Sequence, residues 1–538
     1  MWAQHYTPVA GSLGWSAVVA GLPVLVLLLL LGVWRKPAWI AALSGLLAAL
    51  IVAIGAYRMP AKLALSATAY GAAFGLFPIG WIVFWAIVLY RLTIETGRFE
   101  VIKDSIGGLT QDRRVQALLI AFAFGAFIEG AAGFGTPVAV AAAMLAGLGF
   151  SPFYAAAICL LANTAPVAFG SIGIPVVTLS GITNLELNQL SGAVGSLCAP
   201  ISLVVPSYLI LVMGGWRAYR GVLPAALLCG GSFATVQYVV SHKLGPYLTD
   251  ILSSLAAIAA LVLLLRGWKP AGDFTLEGNA VEQPVVRAYA ATRVFSAWMP
   301  YLLLVAMVLL WSQPDLKALF NSVAIQLAWP GLHNAVERHP PLVGQPSPYP
   351  AVYRFDWLGA AGSACLVACL LTVILLRVPL RIAWRAFATT ARQLSLALIT
   401  IASVLGLAFL MNYSGATVTL GMAFAATGVL FPYFSAMLGW LGVFLTGSDT
   451  SSNALFGNLQ VVTAGRLGLD PVLMAAANSA GGVMGKMISL QSIAVATAAT
   501  GMARADEARL FRFTLRHSVI LGSLIGLINM VYAYVYRL

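Results

Sequence analysis

Between Ser12 and Trp34 the chain reads SLGWSAVVAGLPVLVLLLLLGVW without one charged side chain. Runs of this kind recur to the far end of the sequence. About 20 apolar residues are enough for a helix to cross the hydrocarbon core of a bilayer. In that medium every backbone N–H and C=O must find its partner inside the protein, which leaves helices and closed barrels as the spanning structures. Long apolar runs without period-two alternation read as helices. The rest of the composition agrees: 61% of the 538 residues are hydrophobic and 9% are charged, against about a quarter charged in ordinary globular domains. An all-α polytopic membrane protein is therefore expected. The first twelve residues hold no Lys or Arg, so 12–34 reads as a retained first span and not as a cleavable signal peptide.

Further spans are expected over 38–56, 66–90, 191–215, 221–241, 247–265, 296–311, 357–376, 393–411 and 513–536. The segment 91–114 is too charged to cross. Its Leu92, Phe99, Val101, Ile102 and Ile106 interleave with the charges, as in a helix lying at the interface. A second non-crossing segment is expected over 412–430. Two stretches are too long for one straight crossing and are interrupted by polar or Gly/Pro-rich sequence. They are 152–183, with ANTAP and GSIGIP, and 470–500, with ANSAGGVMGKMIS. Both read as broken helices. The formal charge of +13 sits at span ends, as orientation with the positive side inside requires, and does not point to nucleic acid. The richest basic clusters, 377–392 and 504–516, belong on the inside, which places both termini outside. The five cysteines (159, 198, 229, 365, 369) all lie in apolar stretches, where Cys usually packs. Neither a disulfide framework nor a metal site is expected.

Two polar interruptions organise the rest. In FLTGSDTSSNALFGN (444–458), Asp449 sits among Thr446, Ser448, Thr450, Ser451, Ser452 and Asn453. The apolar arms on either side carry no acid or base. In 114–149, Glu129 is the only acid and AAGFGTP follows it. An ionisable group at such depth costs about 2.5–3.5 kcal/mol on insertion scales, so it faces a cavity or a partner. Each stretch therefore reads as a re-entrant hairpin with an acid near its tip. Gly97 precedes Glu129 by 32 residues and Gly415 precedes Asp449 by 34. Ala-Asn-Thr/Ser-Ala follows each acid, at Asn163 and Asn478. The expected fold has about 12 transmembrane helices plus two re-entrant hairpins and two broken helices, as an inverted-repeat secondary transporter. The whole chain, 1–538, is one transporter domain. Repeat one covers about 38–215, linking spans 221–311, an outside loop 312–356, and repeat two about 357–538.

Half-helix N-termini aimed at the midplane suit an anion. Gly133 and Gly135 permit close backbone approach. Thr136, Asn163, Thr164, Ser451, Ser452, Asn453, Asn478 and Ser479 add small hydroxyls and amides, although a Ser or Thr in a helix commonly bonds its own backbone. A small carboxylate fits this set better than a bulky or cationic substrate. Desolvation favours the protonated form of a buried carboxyl, which makes Glu129 and Asp449 the candidate proton carriers. Lys486 either neutralises one of these acids or binds the substrate carboxylate. If all three are ionised they sum to −1.

At these residues the chain resembles the bacterial lactate permease family. The resemblance rests on GAFIEGAAGFGTPVA (125–139), NTAPVAFGSIGIP (163–175), GWLGVFLTGSDTSSNALF (439–456), GGVMGKMIS (481–489), QSIAVA (491–496) and LFRFTLRHS (510–518). It implies proton-coupled uptake of L-lactate, D-lactate and glycolate across the bacterial inner membrane. Similar proteins usually carry Pro where this chain has Leu490, a change expected to straighten the break near Lys486.

Two other readings stay open on the residues alone. A carrier of the same fold coupled to Na⁺ and moving another small monocarboxylate is one, since Asn163, Asn478 and nearby carbonyls are possible ligands. A membrane enzyme is the other. It would need a nucleophile–base pair or metal ligands within the bilayer, and none of the five His lies mid-span. No cofactor beyond the coupling ion, H⁺, is expected. The expected partners are a small 2-hydroxymonocarboxylate, the lipid bilayer and, at most, further copies of the chain in a homo-oligomer.

Overall fold

The computed structural model describes residues 1–133, 135–272, 274, 289–340, 342–503 and 506–536. Helices follow one another from Leu13–Gly32 to Glu507–Val531. Among the described residues ten helices are long and apolar enough to cross a membrane, or up to twelve if each bent pair counts as one span. Several boundaries move for local reasons. The span expected over 66–90 is Ala61–Glu95, interrupted near Pro78, where Phe77 is extended (φ −142°, ψ 125°). The crossing helix therefore takes up 91–95, and the interfacial helix is the shorter Arg98–Gly107, which buries Phe99, Val101, Ile102 and Ile106. The spans expected at 191–215 and 221–241 form one stretch, Leu187–Lys243, broken at Gly214, Gly215 and Val222. Its two halves lie side by side, with Ser202 Oγ donating to Gln237 Oε1 at 2.7 Å. The basic cluster 377–392 is the start of one long helix, Leu380–Ser414. Arg504, of the other cluster, lies outside the described residues.

One series of elements occurs twice. A short helix (Arg98–Gly107) leads into a hairpin with arms Arg113–Ala131 and Thr136–Gly147. A helix pair, Pro152–Ala162 and Val167–Thr183, bent by 65°, follows it. In the second half Ala416–Phe424 leads into arms Phe431–Thr446 and Asp449–Leu467, then into Pro471–Ile488 and Leu490–Thr500, bent by 42°. The break at Leu490 is not straightened. Ser489 is extended (φ −62°, ψ 136°) and its Oγ accepts from the Ser492 amide, so a capping serine starts the new helix at Leu490 without a proline there. The breaks also fall at different places along the Ala-Asn-Thr/Ser-Ala alignment. Helix ends at Asn163 in the first half but runs through Asn478 to Gly485 in the second.

The second hairpin packs on its bent helix backbone to backbone. A Cβ on Gly439 would run into the Asn478 carbonyl, and one on Gly481 into the carbonyl of Ala436. Small residues are what allow membrane helices this approach. Neither carbonyl belongs to a side chain that can rotate away, and overpacking typically costs about 1–3 kcal/mol. Gly439→Ala is therefore expected to lower the midpoint of thermal unfolding in detergent by several degrees. An unchanged midpoint would contradict this contact.

The segment 312–356, expected as a Pro-rich loop, holds the helix Pro314–Ser322 and four short strands in two small sheets. The N-terminal strand Trp2–Ala3 joins one of them, parallel to Val336–Arg338. Behind it, Gln4 Nε2 donates to the carbonyls of Asn412 (3.0 Å) and Tyr413 (2.8 Å), tying this cap to the end of the long helix.

Candidate substrate and coupling-ion site

The second hairpin turns at Gly447 (φ +71°, the left-handed region that favours glycine). Ser448, extended, caps the next helix through its Oγ, and this makes Asp449 the first helical residue. A carboxylate there faces the positive end of the helix dipole. Asp449 is buried. Its Oδ2 accepts from Ser479 Oγ (2.6 Å) and from Asn453 Nδ2 (3.4 Å), while its Oδ1 has no hydrogen-bond partner. Asn453 extends the network: Nδ2 also donates to Ser479 Oγ (3.1 Å), and Oδ1 accepts from Asn478 Nδ2 (2.9 Å). Asn478 Oδ1 in turn accepts from Gln460 Nε2 (3.0 Å). Asn453 reaches the other half as well, donating to the carbonyl of Pro175 at 3.1 Å. The two halves of the chain therefore meet at this amide.

Lys486 opens the last turn before the second break. Its side chain is buried and Nζ donates to the Gly447 carbonyl at 2.6 Å, so the ammonium sits against the hairpin tip. It lies within electrostatic reach of both Glu129 and Asp449. Neither acid approaches it within 4 Å. It is thus a shared cation between the two halves and not the partner of one acid.

Glu129 comes from the first arm of the first hairpin, and its Oε2 has no partner. A Cβ on Gly170 would stand 2.7 Å from its Oε1, so this carboxyl lies against the bend of the first broken helix. Asn163, at the end of the half-helix Pro152–Ala162, faces Glu129, and neither of its amide atoms is otherwise hydrogen-bonded. Below it the backbone enters the left-handed region at three successive residues: Ser171 (φ 48°), Ile172 (φ 59°) and Gly173 (φ 71°). A β-branched residue there is a conformational outlier that only a constraining environment sustains. Ser171 Oγ fixes the turn by donating to the Ala132 carbonyl at the hairpin tip (3.0 Å). Pro175 adds to it by leaving the Ser171 carbonyl without its helical donor.

The structure thus gathers Asp449, Asn453, Asn478 and Ser479 into one hydrogen-bonded network, with Lys486 at the hairpin tip, Glu129 within its electrostatic reach and Asn163 beside Glu129. Gly133 packs on Ser171, and Gly135 starts the second arm of its hairpin facing Val495. Thr136 and Ser451 are half-buried. Two hydroxyls serve the backbone: Thr164 donates to the Leu161 carbonyl (2.8 Å) and Ser452 to that of Gly439 (3.2 Å), across the second hairpin. Sequence reasoning missed Ser171–Gly173 as a structured turn, and it missed Asp250. That acid follows Leu248-Thr249 at the start of an apolar helix, where it reads as a dipole-matching residue. It is buried instead, with neither oxygen hydrogen-bonded. The available signal was an acid in an apolar run with no base nearby. Among the described residues no group of three or more His, Cys, Asp or Glu side chains forms a metal site.

The family model described as L-lactate permease matches residues 16–536. The "L-lactate permease" of Bacillus subtilis (strain 168) is 46% identical, with 99% of each chain covered. The "Glycolate permease GlcA" of Escherichia coli (strain K12) is 44% identical, covering 99% of this chain and 98% of that one. Among solved structures, the Neisseria gonorrhoeae antimetabolite efflux pump MtrF aligns over 94% of this chain and 97% of its own at 14% identity, with a TM-score of 0.48. The Alcanivorax borkumensis transporter YdaH aligns over 86% of each chain at 15% identity, with a TM-score of 0.44. With the model matched over nearly the whole length and relatives above 40% identity end to end, the chain belongs to the L-lactate permease family.

Proposed function

We propose that this protein imports L-lactate, and with it D-lactate and glycolate, together with a proton across the bacterial inner membrane, with both termini outside. The relatives' names support L-lactate and glycolate, and D-lactate rests on the family resemblance alone. The observation that carries the coupling is the pairing of unsatisfied acids with a single buried lysine where the two halves of the chain meet. Glu129 and Asp449 each keep one carboxyl oxygen without a partner, and Lys486 stands within reach of both. Buried polar groups are normally satisfied, and exceptions point to chemistry or an absent ligand. A proton satisfies such an oxygen by turning it into a donor. The lysine and the unbonded amide of Asn163 supply donors for a small carboxylate. In this reading the repeats, about 38–215 and 357–538, rock around the Asn453–Pro175 contact, and 221–311 link them.

Purified protein in proteoliposomes tests this directly. An inward proton gradient without Na⁺ is expected to drive accumulation of labelled L-lactate, and unlabelled glycolate is expected to compete. Accumulation driven by a Na⁺ gradient and indifferent to pH would replace the proton with Na⁺ as coupling ion.

A further inference from the structure

Asp250 is used by nothing described so far, yet it is 1% exposed with both carboxyl oxygens unpartnered. It stands at the second position of the helix Thr249–Gly267 and caps no amide. The first hairpin presses against it: a Cβ on Gly130, next to Glu129, would lie 2.8 Å from the Asp250 Cβ. The two carboxyls are within electrostatic reach of each other. The side-chain amide of Asn163, 4% exposed and without a hydrogen-bond partner, lies beside Glu129. The fold thus leaves two buried acids and a buried amide without hydrogen-bond partners in one region.

The charges around Asp250 decide what such a group can do. From the hairpin only Glu129 faces it. The other charges on that arm, Arg113 and Arg114, stand at its opposite end, roughly 24 Å away along the helix. From Leu187–Lys243 comes the neutral thiol group of Cys198, and Gly170–Thr183 contains no ionisable residue. Lys486 reaches Glu129 but is not among the groups that act on Asp250. Two neighbouring carboxylates, only one of them within reach of a cation, repel each other strongly in a low-dielectric site, and a shared proton removes that repulsion. We propose that Glu129 and Asp250, with the Asn163 amide beside Glu129, form a single proton-binding pair that carries the coupled proton in the first half of the transporter. One proton bridges the pair, one negative charge remains on it, and the pair titrates as a unit. The inference rests on proton–lactate symport and assigns the residues that hold the proton.

The test uses Asp250→Asn, Glu129→Gln and the double variant in proteoliposomes, beside wild type. Each single variant is expected to lower pH-driven lactate accumulation at least tenfold and to flatten the pH dependence of the remaining lactate exchange. The double variant is expected to be no worse than either single one, because one proton site has been removed in all three. Wild-type accumulation by Asp250→Asn, or losses that multiply in the double variant, would overturn the pair. A chemical readout covers the case in which a variant does not fold. Dicyclohexylcarbodiimide attacks protonated carboxyls in apolar surroundings, so mass spectrometry of the wild-type protein should find the adduct on Glu129 or Asp250 at pH 6 and less of it at pH 9. No adduct on either residue at pH 6 would also overturn the proposal. If wild type itself fails to respond to a pH gradient, the symport reading fails. If wild type responds and Asp250→Asn responds equally, only the pair does.

Discussion

Asp449→Asn is expected to abolish accumulation of lactate against its gradient, at least a tenfold loss, while part of the lactate counterflow survives. The substitution keeps size and shape and removes one titration. The helix start does not depend on Asp449, because Ser448 Oγ is the group that caps it. What is lost locally is a favourable charge at a helix N-terminus, typically about 0.3–1 kcal/mol, too little to unfold the hairpin. The amide can still accept from Ser479 and sits beside Asn453, so the network linking it to Pro175 persists. Exchange of lactate for lactate does not require the proton to leave, whereas net uptake does. Accumulation and counterflow should therefore separate. Full accumulation by the variant would remove Asp449 from the coupling route. Loss of both activities with an unchanged unfolding midpoint would place it in the substrate route instead.

Much of this was legible in the sequence because the bilayer restricts a chain so strongly. Long apolar runs mark helices whatever their neighbours, and an acid between two such runs marks a place where protein must surround it. Glu129 and Asp449 stood out on that basis, and the hairpins and broken helices are present in the structure where Gly, Pro and polar residues interrupt the apolar pattern. Less legible was anything that depends on two distant segments touching. Asp250 looked ordinary because a first-turn acid usually serves the helix dipole. Only the approach of Gly130 shows that the hairpin carrying Glu129 packs against it. The left-handed turn at Ser171–Gly173 was visible only as an interruption, since no local rule predicts a positive φ at Ile172. Leu490 misled in the opposite direction. The break beside it is set by Ser489, a neighbour whose capping role the comparison with proline had hidden.

Lys486→Met is expected to raise the lactate KM by tenfold or more, with the largest effect at alkaline pH. The charge sum differs from the −1 that Glu129, Asp449 and Lys486 alone would give. Asp250 adds a third acid, so three negative charges and one positive charge make −2 when all are ionised. A proton on the Glu129–Asp250 pair brings the sum to −1, a second on Asp449 brings it to zero, and lactate returns it to −1. Protons therefore bind before lactate, and among the described residues the lysine is the cation that offsets Glu129 and Asp449 while they wait. A unit charge about 8 Å from a carboxylate, at an effective dielectric of about 20, is worth about 2 kcal/mol, or roughly 30-fold in affinity. Removing it leaves the arriving anion opposed by whichever acids are ionised, and more of them are ionised as pH rises. The substitution also cuts the bond from Nζ to the Gly447 carbonyl, so Lys486→Arg is the control. Arginine keeps the charge and can still donate to the hairpin tip, and it should recover most of the affinity if charge is what counts. If Met and Arg are equally impaired, the role of Lys486 is to hold the tip at Gly447. If the Met variant shows the wild-type KM at every pH, the lysine acts on neither the acids nor the substrate.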